Sequence, residues 1–402
     1  MFCRKTLKGN KVEKNSKQLF IHIGMNKTGS SSIQESLQSN LNSKEWEYMK
    51  LGAPNHGGAM LLAFKEDFFK SKYNHNFPSE EEVEIRKKKI LTKLTKRIVN
   101  SNKNKFIISG ETILVLNEKE LKNMKFFFEK YVSKIFIVSY VRRPKGFNES
   151  SMQQRLKFHG EVNLKNVIPH YKKTFKKFDD IFKKDCVFLW KFEPRKFSQK
   201  DVVVDFCQRL KIALKKEQTI RVNESLSKEA ISLLYTYRKY LPQIENGEQK
   251  IKQNLFFIDL LRKVGSEKYK VSPKLIKPLL EEQASDIAWM EERLGESLDE
   301  SFDESPTDIN DEKDLEEFAI QSVHLILDMI DDKYLEKPID KKSPQGVARI
   351  VHALRLTAGD GYNATIQNEQ QVIAQKVSVS KTQKQKNKFK KLLDCIKSKI
   401  KR

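Results

Sequence analysis

The chain has 402 residues, enough for two or three domains and a sizeable core. Hydrophobic residues make up 38% and charged residues 32%, and no apolar run reaches the ~20 residues of a membrane span, so a transmembrane helix is excluded. The formal net charge of +24 favours polyanionic partners: nucleic acid, phosphorylated cofactors, acidic glycans or an anionic membrane surface.

The basic N-terminal segment 1–18 lacks the continuous apolar stretch of a signal peptide, so secretion is not expected. Leu19–Ile23 is a short apolar run of β-formers stopped by Gly24. The segment Gly24-Met-Asn-Lys-Thr-Gly29 follows, and then Ser30–Asn40, with Ile33 and Leu37 four apart, predicts a helix. Strand, glycine-bounded loop and helix is the order of a phosphate-binding βα unit. Further buried strands are predicted at Lys105–Ser109, Lys134–Val141 and Cys186–Trp190. Helical stretches precede them, at Glu81–Asn100, Glu118–Lys130 and Val167–Phe182. Short apolar strands alternating with amphipathic helices predict an α/β fold, a parallel sheet flanked by helices.

Beyond Glu224 the pattern becomes helical, with helices predicted at Glu224–Tyr240, Gln253–Val264 and Lys277–Leu294. Glu296–Glu317 holds eleven acids against Lys313 alone, and residues 299–314 are read as an acidic linker. A helical extension is expected over 315–380, beginning with the apolar spacing of Leu315–Ile330. The last segment, 381–402, carries ten basic residues and one acid, with Phe389, Leu392, Leu393, Ile396 and Ile400 on one helical face. It reads either as a basic amphipathic helix for peripheral contact with an anionic membrane or as a solubilising terminus. The four cysteines, Cys3, Cys186, Cys207 and Cys395, show neither metal-ligand spacing nor a disulfide framework, which predicts a reducing, cytoplasmic setting and no bound metal.

Two motifs carry the chemistry. In the first loop Gly24 and Gly29 keep the glycine spacing of an ATP-type phosphate loop, but Ser30 stands where its lysine belongs and the lysine lies inside, at Lys27. Backbone N–H groups at a helix start, the Lys27 ammonium and the hydroxyls of Thr28, Ser30 and Ser31 suit a phosphate or sulfate. A serine-capped turn is the plainer alternative. The second motif is Arg142-Arg143-Pro144 at the end of the third long strand, with Ser150 eight residues after Arg142. A magnesium-dependent kinase or hydrolase wants an Asp at such a strand end, whereas guanidinium forks suit a phosphate held without metal. A solvated basic turn is the alternative there.

In this order and separation the motifs resemble the PAPS-dependent sulfotransferases (donor 3′-phosphoadenosine-5′-phosphosulfate), most of all the bacterial carbohydrate sulfotransferase-like group. The similarity runs through His22-Ile-Gly-Met-Asn-Lys-Thr-Gly-Ser-Ser-Ser-Ile-Gln34 and covers roughly residues 19–298, with weaker likeness at Arg221–Ser227 and Asp286–Gly295. The resemblance implies a P-loop-like sulfotransferase fold over 19–298. It implies that Lys27, Thr28, Gly29, Ser30 and Ser31 cradle the 5′-phosphosulfate and that Arg142 and Ser150 hold the 3′-phosphate. Asn26 departs from the family's usual proline before the lysine.

Sulfuryl transfer needs positive charge on the departing phosphate oxygen, a role given to Lys27, and a base for the acceptor proton. His56, in the turn-like Pro54-Asn-His-Gly-Gly58, is the first candidate base. Glu111, after the strand Lys105–Ser109, is the second, as base or acceptor-binding group. Their plainer readings are a surface loop histidine and a solvated glutamate. His22 is read as a core histidine, His159 and His170 as surface residues, and Lys87–Lys89 as a solvated helix face. Gln153 or Gln154 is a candidate to face the cofactor or acceptor, and the resemblance extends that role to Asn223 and Ser225. The expected acceptor is a hydroxyl of a saccharide, as in polysaccharide sulfation. Rival readings are a P-loop kinase, a nucleic-acid-binding protein and a glycan-binding protein on the same fold. Nucleic acid is disfavoured because the basic residues are not interleaved with aromatics.

Overall fold

The computed structural model describes residues 16–74, 77–159, 167–222, 225–241, 248–300, 305, 308–335, 338, 340–365 and 367. The segment 381–402 therefore lies outside the described residues, as do most of 1–18 and Asn223.

The strands are β1 (Gln18–His22), β2 (Trp46–Tyr48), β3 (Lys105–Ser109), β4 (Lys134–Val141) and β5 (Val187–Lys191). The helices in chain order are α1 (Ser30–Asn40), α2 (Gly57–Phe64), α3 (Glu80–Asn100), α4 (Glu118–Glu129), α5 (Pro144–Gln154) and α6 (Tyr171–Phe182). They continue with α7 (Val202–Arg209), α8 (Lys228–Tyr240), α9 (Glu248–Leu261), α10 (Pro273–Glu282), α11 (Ala284–Leu294) and α12 (Glu312–Ser322). Residues 344–365 are also helical.

The five strands form one sheet in the order β2-β3-β1-β4-β5, and every pairing is parallel. This is the α/β architecture expected. Side chains alternate across a strand, so β1 feeds two cores at once. Leu19 and Ile21 join Phe106, Ile108 and Ile137 on one face, where residues of α2, α3, α4 and α6 cover them. Phe20 joins Ile107, Val138 and Tyr140 on the other face, under α1 and α7. Strand order reverses about β1, which is flanked by β3 on one side and β4 on the other. Its carboxyl end is therefore the switch point where ligands of open α/β sheets bind. Lys17, just before β1, is buried and donates to the carbonyls of Val99 (3.3 Å) and Ser101 (3.1 Å), closing the C-terminal end of α3.

Several boundaries differ from expectation for local reasons. β2 is a three-residue edge strand, too short to show periodicity, and was not predicted. Residues 184–186 form a 3₁₀ turn, so the last strand starts at Val187. The helix expected from Val167 starts at Tyr171, after Pro169, because a residue preceding proline is pushed away from helical geometry. The helix expected from Glu224 starts at Lys228, where Ser227 accepts from Ala230 N–H as its N-cap. The helix expected over Lys277–Leu294 is two helices broken at Gln283, with Pro278 inside the first.

The described chain forms two compact units that interleave in sequence. One combines Met1–Met152, Lys165–Ser225 and Lys270–Asn310; the other combines Gln153–Leu164, Leu226–Tyr269 and Asp311–Arg402. The linear segmentation into 19–298 and a later extension thus does not describe the packing: residues 226–269 join the extension. In the second unit α8 is buried on almost every side and packs along α12. Its first residue, Lys228, is buried, pairs with Glu267, and lies 3.9 Å over the Phe318 ring. Among the described residues, no helix is long and apolar enough to cross a membrane.

Candidate functional site

Three segments meet at the carboxyl edge of the sheet: the loop after β1, the turn after β3, and the β4–α5 junction. All belong to the first unit. The loop is tightly coiled, with Gly24, Lys27 and Gly29 all at positive φ (31°, 67° and 76°). Lys27 holds this left-handed conformation without being glycine, a strain of roughly 1–2 kcal/mol that loops at binding sites commonly store. At Gly24 a Cβ would land on Ser30 Oγ and 3.3 Å from Glu111 Cγ, so only glycine lets the first and second segments close.

The N-terminus of α1 is open. Gly29 is its N-cap, there is no side-chain cap, and no acid stands in its first turn. Ser30 is buried and its hydroxyl makes no hydrogen bond. Eleven residues of helix with free leading N–H groups and an unpartnered hydroxyl favour an anion. Ser31 is half-buried at the same turn. Thr28 corrects the expectation: its hydroxyl donates to the Met25 carbonyl at 2.6 Å, so it braces the loop and leaves only its backbone N–H for an anion.

Arg142 ties the two motifs together. Its Nη1 donates to the Lys27 carbonyl and to Ser150 Oγ (3.4 Å), and its guanidinium lies 5.4 Å from the Phe192 ring centre. Its own carbonyl accepts from Tyr171 Oη at 2.6 Å, while its N–H meets Met25 Sδ at 3.3 Å. Burial lowers the Arg142 pKa from its ordinary value, with Glu149 and Glu300 acting against that. Arg143 is paired with Glu193 at 2.6 Å. The start of α5 is taken up by Glu300, whose carboxylate accepts from Lys145 N–H (2.8 Å) and Gly146 N–H (3.3 Å). Glu300 and Tyr171 were not foreseen. The acidic composition around Glu300 was visible in the sequence, but nothing local pairs it with residue 145.

Glu111 opens the short 3₁₀ helix Glu111–Val115 and is half-buried. Burial raises its carboxyl pKa, and the Lys27 ammonium holds that rise back. Its backbone is set by Gly110, where a Cβ would sit 2.5 Å from Gly57 N.

His56 is not in an exposed loop. It is fully buried as the residue preceding α2, its ring centre 4.7 Å from that of Tyr48 with the planes tilted by 34°. Its Nδ1 accepts from Ser109 N–H at 3.1 Å and its backbone N–H donates to the Ser109 carbonyl at 2.8 Å. Burial drives its pKa down to about 4, with a Met49 backbone contact opposing and Lys93 assisting. The lone pair that a base needs is thus engaged with backbone, and the ring clamps the strand end that leads to Glu111. A parallel polar chain lies behind it: Ser109 Oγ meets His22 Nδ1 at 2.8 Å and Gln34 Nε2 at 3.1 Å. His22 is fully buried in the core, its pKa lowered by burial to about 3.

The remaining candidates lie elsewhere. Gln153 is buried and accepts from Leu226 N–H at 3.2 Å, a structural contact. Ser225 and His170 are exposed. Among the described residues no group of His, Cys, Asp and Glu is arranged to hold a metal ion.

No protein-family model matches the chain, and no curated protein matches it.

Proposed function

We propose that the chain is a PAPS-dependent sulfotransferase on a P-loop-like sulfotransferase fold, acting in the cytoplasm on a hydroxyl of a saccharide. The observation that carries this reading is the junction of the two motifs, where one guanidinium bonds both the Lys27 carbonyl and Ser150 Oγ. A donor carrying a phosphosulfate and a 3′-phosphate would then meet both groups of residues at one sheet edge. The fit rests on the uncapped α1 N-terminus and the unpartnered, buried Ser30 hydroxyl.

The donor supplies a sulfuryl group on a phosphate leaving group. Lys27, Ser30, Ser31 and the N–H groups of Thr28 and Gly29 would hold its 5′ end, and Arg142 with Ser150 its 3′-phosphate. Lys27 presents the positive charge that the departing phosphate oxygen requires. Glu111 takes the proton of the acceptor hydroxyl: its carboxyl is close to Lys27, partly open, and raised toward the range in which a carboxylate is an effective base. His56 is assigned the positioning of residues 109–111 rather than proton transfer.

The test is calorimetric titration with 3′-phosphoadenosine-5′-phosphate (PAP), the desulfated donor, beside ATP with magnesium. Binding of PAP without metal, with ATP much weaker, is expected. Preference for ATP with magnesium, or binding of neither, overturns the proposal.

A further inference from the structure

We infer that the lysine row of α3 forms, with the sheet edge at β2, a docking cleft for an acidic polysaccharide chain. This inference rests on the sulfotransferase reading and names the acceptor class for it. The cleft is shallow and open to solvent, with about 640 Å³ of space, and is lined by Lys88, Lys89, Lys93, Lys96, Arg97 and Glu47, among others. Its single carboxylate is already satisfied: Glu47 pairs with Arg97 at 2.8 Å and accepts from Ser101 Oγ at 2.6 Å. The four lysines are exposed, and among the described residues none of them makes an ion pair.

Helical geometry puts Lys88, Lys89, Lys93 and Lys96 along one side of α3 over about 12 Å. Like charges held this close repel, and among the described residues no carboxylate pairs with them. A polyanionic chain laid along the row would relieve that repulsion and release counterions. The row also bears on the candidate site. Burial chiefly, and the Lys93 ammonium in addition, lower the pKa of His56, which leads into α2, and Gly57 of α2 packs against Gly110 beside Glu111.

Two features select a polysaccharide over a nucleic acid. Among the described residues no aromatic side chain lines the cleft, so bases would find nothing there to stack on. The uncharged lining groups, Thr92, Asn100 and Ser101, are hydroxyl and amide partners suited to sugar hydroxyls. The basic face of α6 behaves differently, since Lys176 is paired with Asp180 at 2.6 Å.

The experiment measures binding of labelled polygalacturonate and dextran sulfate to the full chain by fluorescence polarisation over a salt series. The wild type is compared with the variant Lys88→Gln, Lys89→Gln, Lys93→Gln, Lys96→Gln. A control variant, Lys122→Gln, Lys172→Gln, Lys173→Gln, Lys176→Gln, removes the same charge from exposed lysines elsewhere. The α3 variant should lose at least ten-fold in affinity, with a shallower salt dependence, while the control stays within about two-fold of wild type. Equal losses in both variants would mean general charge attraction and overturn the proposal, as would an unchanged α3 variant. Tighter binding of single-stranded DNA, dependent on the same four lysines, would overturn it in favour of a nucleic-acid partner. PAP titration of the same preparations separates this inference from its premise. A wild type that fails to bind PAP sinks the sulfotransferase reading, while the polysaccharide arm still decides the row.

Discussion

Removing the Arg142 guanidinium tests the 3′-phosphate assignment directly. In the structure its Nη1 serves the Lys27 carbonyl and Ser150 Oγ. A bound 3′-phosphate would add charge-assisted hydrogen bonds from the same fork, each worth about 1.5–3 kcal/mol, or roughly 10- to 150-fold in Kd. Arg142→Lys keeps the charge and loses the fork. Both it and Arg142→Ala should weaken PAP within that range, the Ala variant more. The decisive comparison uses 5′-AMP, which lacks the 3′-phosphate. Wild type should prefer PAP over AMP by that factor, and in Arg142→Ala the preference should collapse toward unity. The assay is calorimetry with both ligands on both proteins, with thermal unfolding as a check, since loss of the bond to the Lys27 carbonyl costs about 1 kcal/mol of stability. A variant that keeps the wild-type ratio of PAP to AMP affinity would refute the assignment, however much overall affinity it lost.

Three further outcomes follow from the same geometry. Burial raises the Glu111 pKa. Between the ordinary glutamate value of about 4.3 and the higher folded value, the native state keeps a proton that the unfolded chain releases, so this residue makes stability fall as pH rises. Denaturant unfolding between pH 4 and 7 should show that falling contribution in wild type and not in Glu111→Gln. His56 has the opposite sign: its folded pKa of about 4 lies below the ordinary ~6.5, so its contribution is present at neutral pH and lost as pH falls through that window. His56→Ala should cost about 2–4 kcal/mol, for the lost acceptor of Ser109 N–H and the cavity beside Tyr48; a change under about 0.5 kcal/mol in chemical denaturation would contradict the clamping role. Gly110→Ala forces a Cβ to within 2.5 Å of Gly57 N, backbone that cannot swing aside, and should destabilise by about 1–3 kcal/mol. A thermal midpoint equal to wild type would show that the α2–β3 contact is looser than described.

Local chemistry made part of this protein legible without coordinates. The strands Lys105–Ser109 and Lys134–Val141 stand where their apolar, β-branched runs predicted, because both faces of a parallel sheet are buried and the run is continuous. The helix at Ser30 followed from the glycine stop and the spacing of Ile33 and Leu37. The loop and the arginine motif were also readable, since each is a run of adjacent residues whose types state their chemistry. Tertiary structure decided which groups meet. No local signal shows that Arg142 reaches the Lys27 carbonyl, that Glu300 takes the N–H groups of 145 and 146, or that Glu111 lies over Gly24. His56 is the plainest case. Its glycine-rich neighbourhood reads as an exposed turn, yet the approach of Gly110 to Gly57 buries it and commits its lone pair to the Ser109 N–H. Residue type sets what a side chain is able to do; the packing of segments distant in sequence sets its solvation and its partners, and those fix its protonation state and its role.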